Sequence, residues 1–484
     1  MKDFKVVVGL TSVVHPNMPG DDRGIYKKII KSMEELKDKM NFELVAINRP
    51  LESEQDGRNA RKQFEDENVD FTMVFNASLG FGRVILPLAK VNSYLGLWSV
   101  PEPTKEGVLQ LNSFCGLNMY GAIIEKYFKD YNIPFKWFYG YPDSELFLER
   151  FSIMLKAMKG IKTVRESRIG LIGGIANGFE NMYFDERGLD KRFGTYIQTR
   201  HTVEDIVSRA KELDEERVNE NLEQVLEEGN WDRERVSERE LKKSSRIYLA
   251  FKDFAEENNY NALAISCWPK FQEIYGIAVC SAMSRLNEAG IVASCEGDVP
   301  GAINMLVLNA MSGQKATIND LIAFDEDDVS INMWHCGVAP KSCANKNGVC
   351  WNEHFNIGSY ENGKWNGKGT IASLTFKPGK ITAFRMDNNF DNLFIMTGDV
   401  MKDKKTYYGS SGWINNLKVN GGEISLLDLM NTIIVNRVDH HYPMIYGDLT
   451  NELMEFASWL GLNILDIIPY KPYMQNYRQD NYRS

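Results

Sequence analysis

The sequence predicts an α/β fold, two parallel α/β domains followed by a mainly β C-terminal domain. Short apolar runs alternate with amphipathic, charge-faced stretches from Phe4 to Ser294. From about residue 345 the pattern changes to period two, punctuated by Gly, Asn and Lys. At 484 residues, 43% of them hydrophobic, the chain is long enough for about three domains of roughly 150 residues. The boundaries are read at 1–165, 166–312 and 313–484.

Phe4–Leu10 reads as a short strand, and the loop after it holds His15, Pro16, Pro19 and Gly20. Residues 24–39 have helical spacing, Phe42–Ile47 is the next strand, and residues 57–67 are helical again. Phe71–Asn76 is a strand that runs into the turn Leu79-Gly80-Phe81-Gly82. Alternation with polar loops after the strands is the grammar of a parallel sheet, whose ligands lie beyond the strand C-termini. The turn from Ser78 to Arg83 is therefore offered to a substrate, with a plain turn as the competing reading.

The second domain opens at Arg168-Ile169-Gly170-Leu171-Ile172-Gly173-Gly174. Its glycine spacing departs from G-x-G-x-x-G, and no acid follows a second strand at the distance a ribose needs. Residues 203–260, dense in Glu, Arg and Lys, predict two or three surface helices with a solvated face. Asn261–Ser266 is a strand, residues 271–289 a helix and Gly290–Ser294 a strand. In the third domain Thr370–Phe376, Lys380–Met386, Asn392–Thr397 and Gly422–Leu427 predict strands of a small barrel or sandwich. An amphipathic helix over 449–460 closes the chain.

Composition excludes several function classes. Lys and Arg number 56 against 66 Asp and Glu, a net charge of -10 with no basic footprint for nucleic acid. The apolar runs, such as Phe71–Phe75, are too short to span a bilayer. The N-terminus lacks the apolar core and cleavage site of a secretory signal. A soluble cytoplasmic protein is expected, with neither nucleic acid nor membrane as partner. In that reducing compartment Cys115, Cys267, Cys280 and Cys295 are expected to act as small core residues.

Two regions bring acids and imidazoles to strand ends. In Ser294-Cys295-Glu296-Gly297-Asp298 acids follow an apolar strand directly; Asn319-Asp320 and Trp334-His335-Cys336 come next. The other region is Val438-Asp439-His440-His441-Tyr442. Carboxylates with one or two imidazoles form a donor set suited to Mn²⁺, Co²⁺, Mg²⁺ or Fe²⁺. Spacing alone leaves a capped turn and a half-buried His-His pair as alternatives. A rival set, Cys336, Cys343, Cys350 and His354, has zinc-type ligands at gaps looser than structural zinc uses.

Leu286-Asn287-Glu288-Ala289-Gly290-Ile291 with Ser294-Cys295-Glu296-Gly297-Asp298 resembles the core motif of the L-fucose/L-arabinose isomerase superfamily. So does Ala316-Thr317-Ile318-Asn319-Asp320-Leu321 followed by Trp334-His335-Cys336-Gly337. Glu296 and Asp320 lie 24 residues apart, similar to the family's two metal-binding acids. His440-His441, followed by Gly447 and a helix, is similar to its C-terminal metal-histidine region. The likeness covers roughly residues 166–484 and is closest to the divergent fucose-isomerase-like branch, which includes enzymes acting on sulfoquinovose.

The resemblance implies two Rossmann-like domains before the β domain. It implies Glu296, Asp320 and His441 as ligands of one Mn²⁺-like ion, with Co²⁺ or Mg²⁺ as alternatives, and His335 in or beside the ligand shell. It further implies Glu296 and Asp320 as the acid/base pair of an aldose–ketose isomerase working through an enediolate. Trp268, Lys270 and Gln272 are offered to the sugar, Lys270 and Arg83 to an anionic group on it, and Asn112 to a sugar-contacting loop. A trimer or hexamer is implied too. The competing functions are a non-catalytic sugar-binding or sensor protein and a metal-dependent lyase or aldolase.

Overall fold

The computed structural model describes residues 4–15, 24–195, 197, 199–355, 359–361, 364–366 and 368–475; Pro16, Pro19 and Gly20 lie outside these. The chain forms two compact units, Asp3–Lys162 and Thr163–Ser484.

The first unit is built on a five-stranded, all-parallel sheet. Its strands run Glu43–Ala46, Val7–Val13, Phe71–Asn76, Tyr94–Ser99 and Phe135–Tyr139 in spatial order. Phe71–Asn76 is buried at every position, as a parallel strand covered on both faces must be. The helix predicted from residue 57 starts at Glu54, because Ser53 and Asp56 form a capping box.

The second unit begins with a four-stranded parallel sheet, ordered Val292–Ser294, Ala262–Ile265, Ile169–Ile172 and Thr199–His201. Two expectations need correction here. The helix read over 271–289 is two, Lys270–Ile274 and Cys280–Ala289, interrupted where Gly276 takes φ +74. Of the helices Val203–Glu212, Glu215–Glu228 and Glu238–Glu257, the last is no surface helix. It packs against the other two and against Cys280–Ala289, burying Leu241, Ile247, Phe251 and Phe254.

The β region starts at Thr317, well before residue 345. Six antiparallel strands close on themselves: Thr317–Asp325, Ser330–His335, Ser410–Val419, Asn392–Val400, Gly379–Met386 and His441–Tyr446, the last pairing back to the first. Ile331, Met333, Ala383, Met396, Ile414 and Met444 belong to one buried cluster among these strands. The segment Gly422–Leu427 is not a strand. Only Gly422–Glu423 pairs, and Ser425 then caps a helix, Leu426–Val435, by accepting from Asp428 N–H. The closing helix spans Thr450–Leu460. Among the described residues no helix is long and apolar enough to cross a membrane.

Candidate metal centre

Within the second unit, the loop leaving strand Val292–Ser294 carries Glu296. The Glu296 backbone is left-handed at φ 61, and Gly297 follows at φ 76. Such a conformation costs a non-glycine residue of order 1–3 kcal/mol and persists only where the surroundings impose it. Here Gly297 N–H donates to the Ile265 carbonyl and Ala176 N–H to the Glu296 carbonyl, both at 3.0 Å. The Ser294 hydroxyl donates to the Asp298 carbonyl at 2.7 Å. A side chain at Gly297 would collide with the Gly174 carbonyl oxygen, so this approach needs glycine.

Sheet register delivers the other groups. Asp320 is paired residue to residue with His441 on one neighbouring strand and with Trp334, beside His335, on the other. His441 Nε2 lies 3.4 Å from Glu296 Oε2 and 3.8 Å from Asp320 Oδ1. Donor atoms of Asp320, His335 and His441 all fall within 4.8 Å of one another, as do those of Glu296, His440 and His441. His440 is more exposed; its Nε2 is 3.1 Å from the same Glu296 oxygen and its Nδ1 3.0 Å from Asn181 Nδ2.

These residues fit a divalent cation. His441 Nε2 and Asp320 Oδ1 are buried and have no hydrogen-bond partner. A buried polar atom left bare costs about 1–3 kcal/mol, and a cation bound by both atoms would remove that cost. Carboxylates with imidazole are the donors that Mn²⁺, Co²⁺ or Fe²⁺ accept, and carboxylates those of Mg²⁺.

Asp298 stands behind the imidazole. Fully buried, its Oδ2 lies 2.9 Å from His441 Nδ1 and accepts from Arg385 Nη1 at 2.6 Å. Its Oδ1 caps the buried helix Val299–Ser312 by accepting from Gly301 N–H at 2.8 Å. Arg385 also reaches Asn388 Oδ1 at 2.8 Å and Asp439 at 3.5 Å. A carboxylate on the far ring nitrogen holds the proton on Nδ1 and leaves Nε2 as the ligand atom.

Electrostatics follow from the same contacts. Burial pushes the Asp298 carboxyl up, but Arg385 and His441 outweigh it and hold the group well below the usual range. Burial lowers His441, yet the Asp298 hydrogen bond and the charges of Glu296, Asp298 and Asp320 raise it to about 9. Burial lifts Asp320 to about 6, with Glu296 adding to the shift and the two histidines opposing it. Burial holds His335 well below its ordinary value; its Nδ1 accepts from Cys336 N–H at 2.9 Å.

The other sequence candidates lie as follows. Lys270 is exposed and paired with Glu204 at 2.7 Å, so its charge is already engaged. Gln272 is buried; its Nε2 donates to the Cys267 carbonyl at 3.0 Å and its Oε1 has no hydrogen-bond partner. Trp268 precedes Pro269 through a cis peptide bond. Arg83 and Asn112 belong to the first unit. Arg83 is exposed, 3.5 Å from Glu54, and Asn112, at φ 52, precedes helix Ser113–Phe128 with its N–H on Glu102. Among the described residues neither metal-competent grouping includes Cys336, Cys343, Cys350 or His354. Cys115 is exposed, not a core residue, whereas Cys280 and Cys295 are buried.

Sequence reasoning assigned no role to Asp298, Arg385 or Asn181. Asp298 stands in the Glu296-Gly297-Asp298 run, for which a capped turn is the competing reading, and it caps the helix Val299–Ser312. Arg385 carried a signal: a cation beyond the apolar residues Ala383 and Phe384, inside a strand rather than at its exposed start as Lys380 is, implies a buried partner. Nothing local marks Asn181.

Residues 185–314 match the family model of the L-arabinose isomerase central domain, a span that contains Glu296 and ends before Asp320. A sulfoquinovose isomerase of Priestia aryabhattai is 29% identical over 371 residues, covering 76% of this chain and 78% of that protein. Sulfoquinovose isomerases of Alkalicoccus urumqiensis and Clostridium sp. (strain MSTE9) are 28% and 25% identical, covering 77% and 76% of this chain and 80% and 79% of theirs. An ABC transporter solute-binding protein from Agrobacterium vitis, solved with alpha-D-tagatopyranose, aligns over 64% of this chain and 90% of its own, at 10% identity and a TM-score of 0.18, too low to carry an argument. On the motif around Glu296, the central-domain match and the length of the likeness to these relatives, the chain is similar to the L-fucose/L-arabinose isomerase superfamily and, over most of its length, to sulfoquinovose isomerases.

Proposed function

We propose that the protein is a metal-dependent aldose–ketose isomerase acting on a sulfonated sugar of the sulfoquinovose type. The observation that carries the reading is the pair of bare buried atoms, His441 Nε2 and Asp320 Oδ1, beside the Glu296 carboxylate. Glu296, Asp320 and His441 would hold the ion, with His335 beside them. When bound, a divalent cation such as Mn²⁺ supplies Lewis-acid stabilisation of the negative charge that develops on the two substrate oxygens. The sulfonated substrate is carried over from the curated relatives, and an assembly into trimers or hexamers from the resemblance.

Aldose–ketose interconversion moves one proton between C1 and C2 and another between O1 and O2. Two carboxylates at one site serve both transfers, each contributing about 10²–10⁴-fold. Burial lifts the metal-free Asp320 carboxyl to about 6, and a bound cation would oppose that shift and favour the ionised carboxylate. Asp298 keeps His441 in a single tautomer and Arg385 keeps Asp298 ionised, so neither changes charge during turnover.

The test is conversion by metal-stripped protein with and without Mn²⁺, read by NMR in D₂O. The panel includes sulfoquinovose, fucose, arabinose and other common aldoses. Mn²⁺-dependent ketose carrying deuterium at C1 or C2 is expected. Cleavage into shorter carbon chains would make the protein a lyase or aldolase. Sugar binding that survives chelation, without turnover, would make it a sensor.

A further inference from the structure

Directly beneath Glu296 two thiols are in contact. Cys295 Sγ and Cys267 Sγ lie 3.0 Å apart. Cys295 directly follows strand Val292–Ser294, and Cys267 lies three residues beyond Ala264, the partner of Ser294 on the neighbouring parallel strand. From 3.0 Å the two sulfurs need to close by only about 1 Å, to roughly 2.05 Å. Cys295 is buried, while Cys267 is partly exposed and gives a small oxidant its point of entry.

We propose that Cys267 and Cys295 form a redox modification site, converted to a disulfide by a hydroperoxide and returned to thiols by a dithiol. The hydroperoxide oxygen is attacked by Cys267 Sγ, giving a sulfenic acid and, from hydrogen peroxide, one water. Cys295 Sγ then attacks that sulfur and expels a second water. Two thiols and one peroxide thus become one disulfide and two waters, with both sulfurs oxidised and the peroxide O–O bond reduced.

The consequence for the metal rests on the reading of Glu296 as a ligand. Glu296 is bonded to Cys295 and sits in a left-handed backbone held by the Ala176 and Gly297 hydrogen bonds. Drawing Cys295 toward Cys267 displaces that backbone. Displacements that misorient a ligand typically cost about 10–100-fold in metal affinity.

The experiment treats the full-length protein with hydrogen peroxide and analyses a non-reducing digest by mass spectrometry, alongside Mn²⁺ titration before oxidation, after it, and after dithiothreitol. Expected are a peptide joining Cys267 to Cys295, Mn²⁺ binding weakened by about 10–100-fold, and recovery on reduction. The Cys267→Ser variant, changed at the more exposed thiol, retains Mn²⁺ binding and its affinity survives peroxide. The exposed-thiol control Cys115→Ser cross-links like the wild type. No joined peptide, a joined peptide with unchanged Mn²⁺ affinity, or a peroxide-induced loss that persists in Cys267→Ser would each overturn the proposal. Reduced protein that takes up no Mn²⁺ would instead sink the metal reading, while the mass spectrum still scores the thiol pair.

Discussion

Replacing Asp298 by Asn separates what holds the fold from what aims the ligand. Asp298 is fully buried between Arg385 Nη1 at 2.6 Å and His441 Nδ1 at 2.9 Å. Asn matches its shape but presents one carbonyl oxygen and one NH₂. Either the NH₂ faces the two donors of Arg385 and His441, or it faces Gly301 N–H at the helix cap. One donor-to-donor contact is unavoidable. Arg385, 1% exposed, keeps Asp439 at 3.5 Å as its carboxylate contact among the described residues. Removing one partner of a buried ion pair costs about 3–5 kcal/mol, so urea unfolding of metal-free Asp298→Asn should shift by that much. Without the carboxylate His441 Nδ1 keeps at best a neutral amide oxygen as its acceptor, and Mn²⁺ affinity should fall about 10–100-fold. The double variant Asp298→Asn with Arg385→Met distinguishes the two effects. Removing both charges recovers much of the lost stability, because replacing a buried pair by neutral groups is far cheaper than breaking it. Mn²⁺ affinity should remain low, since His441 still lacks its charged acceptor. A folded Asp298→Asn protein with wild-type Mn²⁺ affinity would refute the role given to Asp298.

Four further outcomes are expected. Glu296→Gln and Asp320→Asn should each cut turnover by about 10²–10⁴-fold or more and weaken Mn²⁺ binding, with deuterium exchange at C2 identifying the carboxyl that takes the carbon-bound proton. His441→Asn should abolish measurable Mn²⁺ binding, whereas His440→Asn, changed at the half-exposed neighbour, should lose less than about tenfold; isothermal titration separates them, and the reverse order would reassign the ligand. Because the metal-free His441 imidazole sits at about 9 and Asp320 at about 6, the ion must displace one proton between those values, so apparent Mn²⁺ affinity should rise by about tenfold per unit from about pH 6 to about pH 9; a flat profile would contradict this. Burial lifts Asp320 above the unfolded carboxyl value, so ionising it opposes folding: the penalty is fully present above pH 6 and disappears below about pH 4. Metal-free Asp320→Asn should therefore melt above metal-free wild type at pH 7 by differential scanning calorimetry, and the difference should vanish on acidification.

The parts of the fold legible in the sequence were those set by local pattern. Phe71–Asn76 is a strand at the predicted residues because its continuous apolar run has no other use in a parallel sheet. Glu296 was legible as an acid at a strand lip, and Asp320 as one of two acids at a family spacing. What failed locally had a local signal that was outvoted. Ser425 with Asp428 three residues on is a helix-start pattern, read instead as the tail of an alternating strand. Gly276 lay inside the 271–289 helix and was given too little weight. What was not legible depended on long-range register. Closure of the barrel between Asn392–Val400 and Ser410–Val419, and the Asp298–Arg385 contact across 87 residues, leave no periodicity to read.

The candidate centre is where local and global preferences part company. A left-handed Glu296, a bare His441 nitrogen and a carboxylate lifted to about 6 are each unfavourable for a protein optimised only to fold. Directly behind them the opposite holds. Asp298 satisfies an arginine, an imidazole and a helix cap at once, and the helix it caps is buried over nearly its whole length. A structural acid cluster would distribute its unsatisfied atoms without regard to direction. Here the hydrogen-bonded Asp298 carboxylate lies on the Nδ1 side of His441, while its bare Nε2 lies on the side of Glu296 and the bare Asp320 Oδ1. One ring thus divides a rigid support from a set of atoms still in need of a partner, and that asymmetry is what a cation site requires of the protein that holds it.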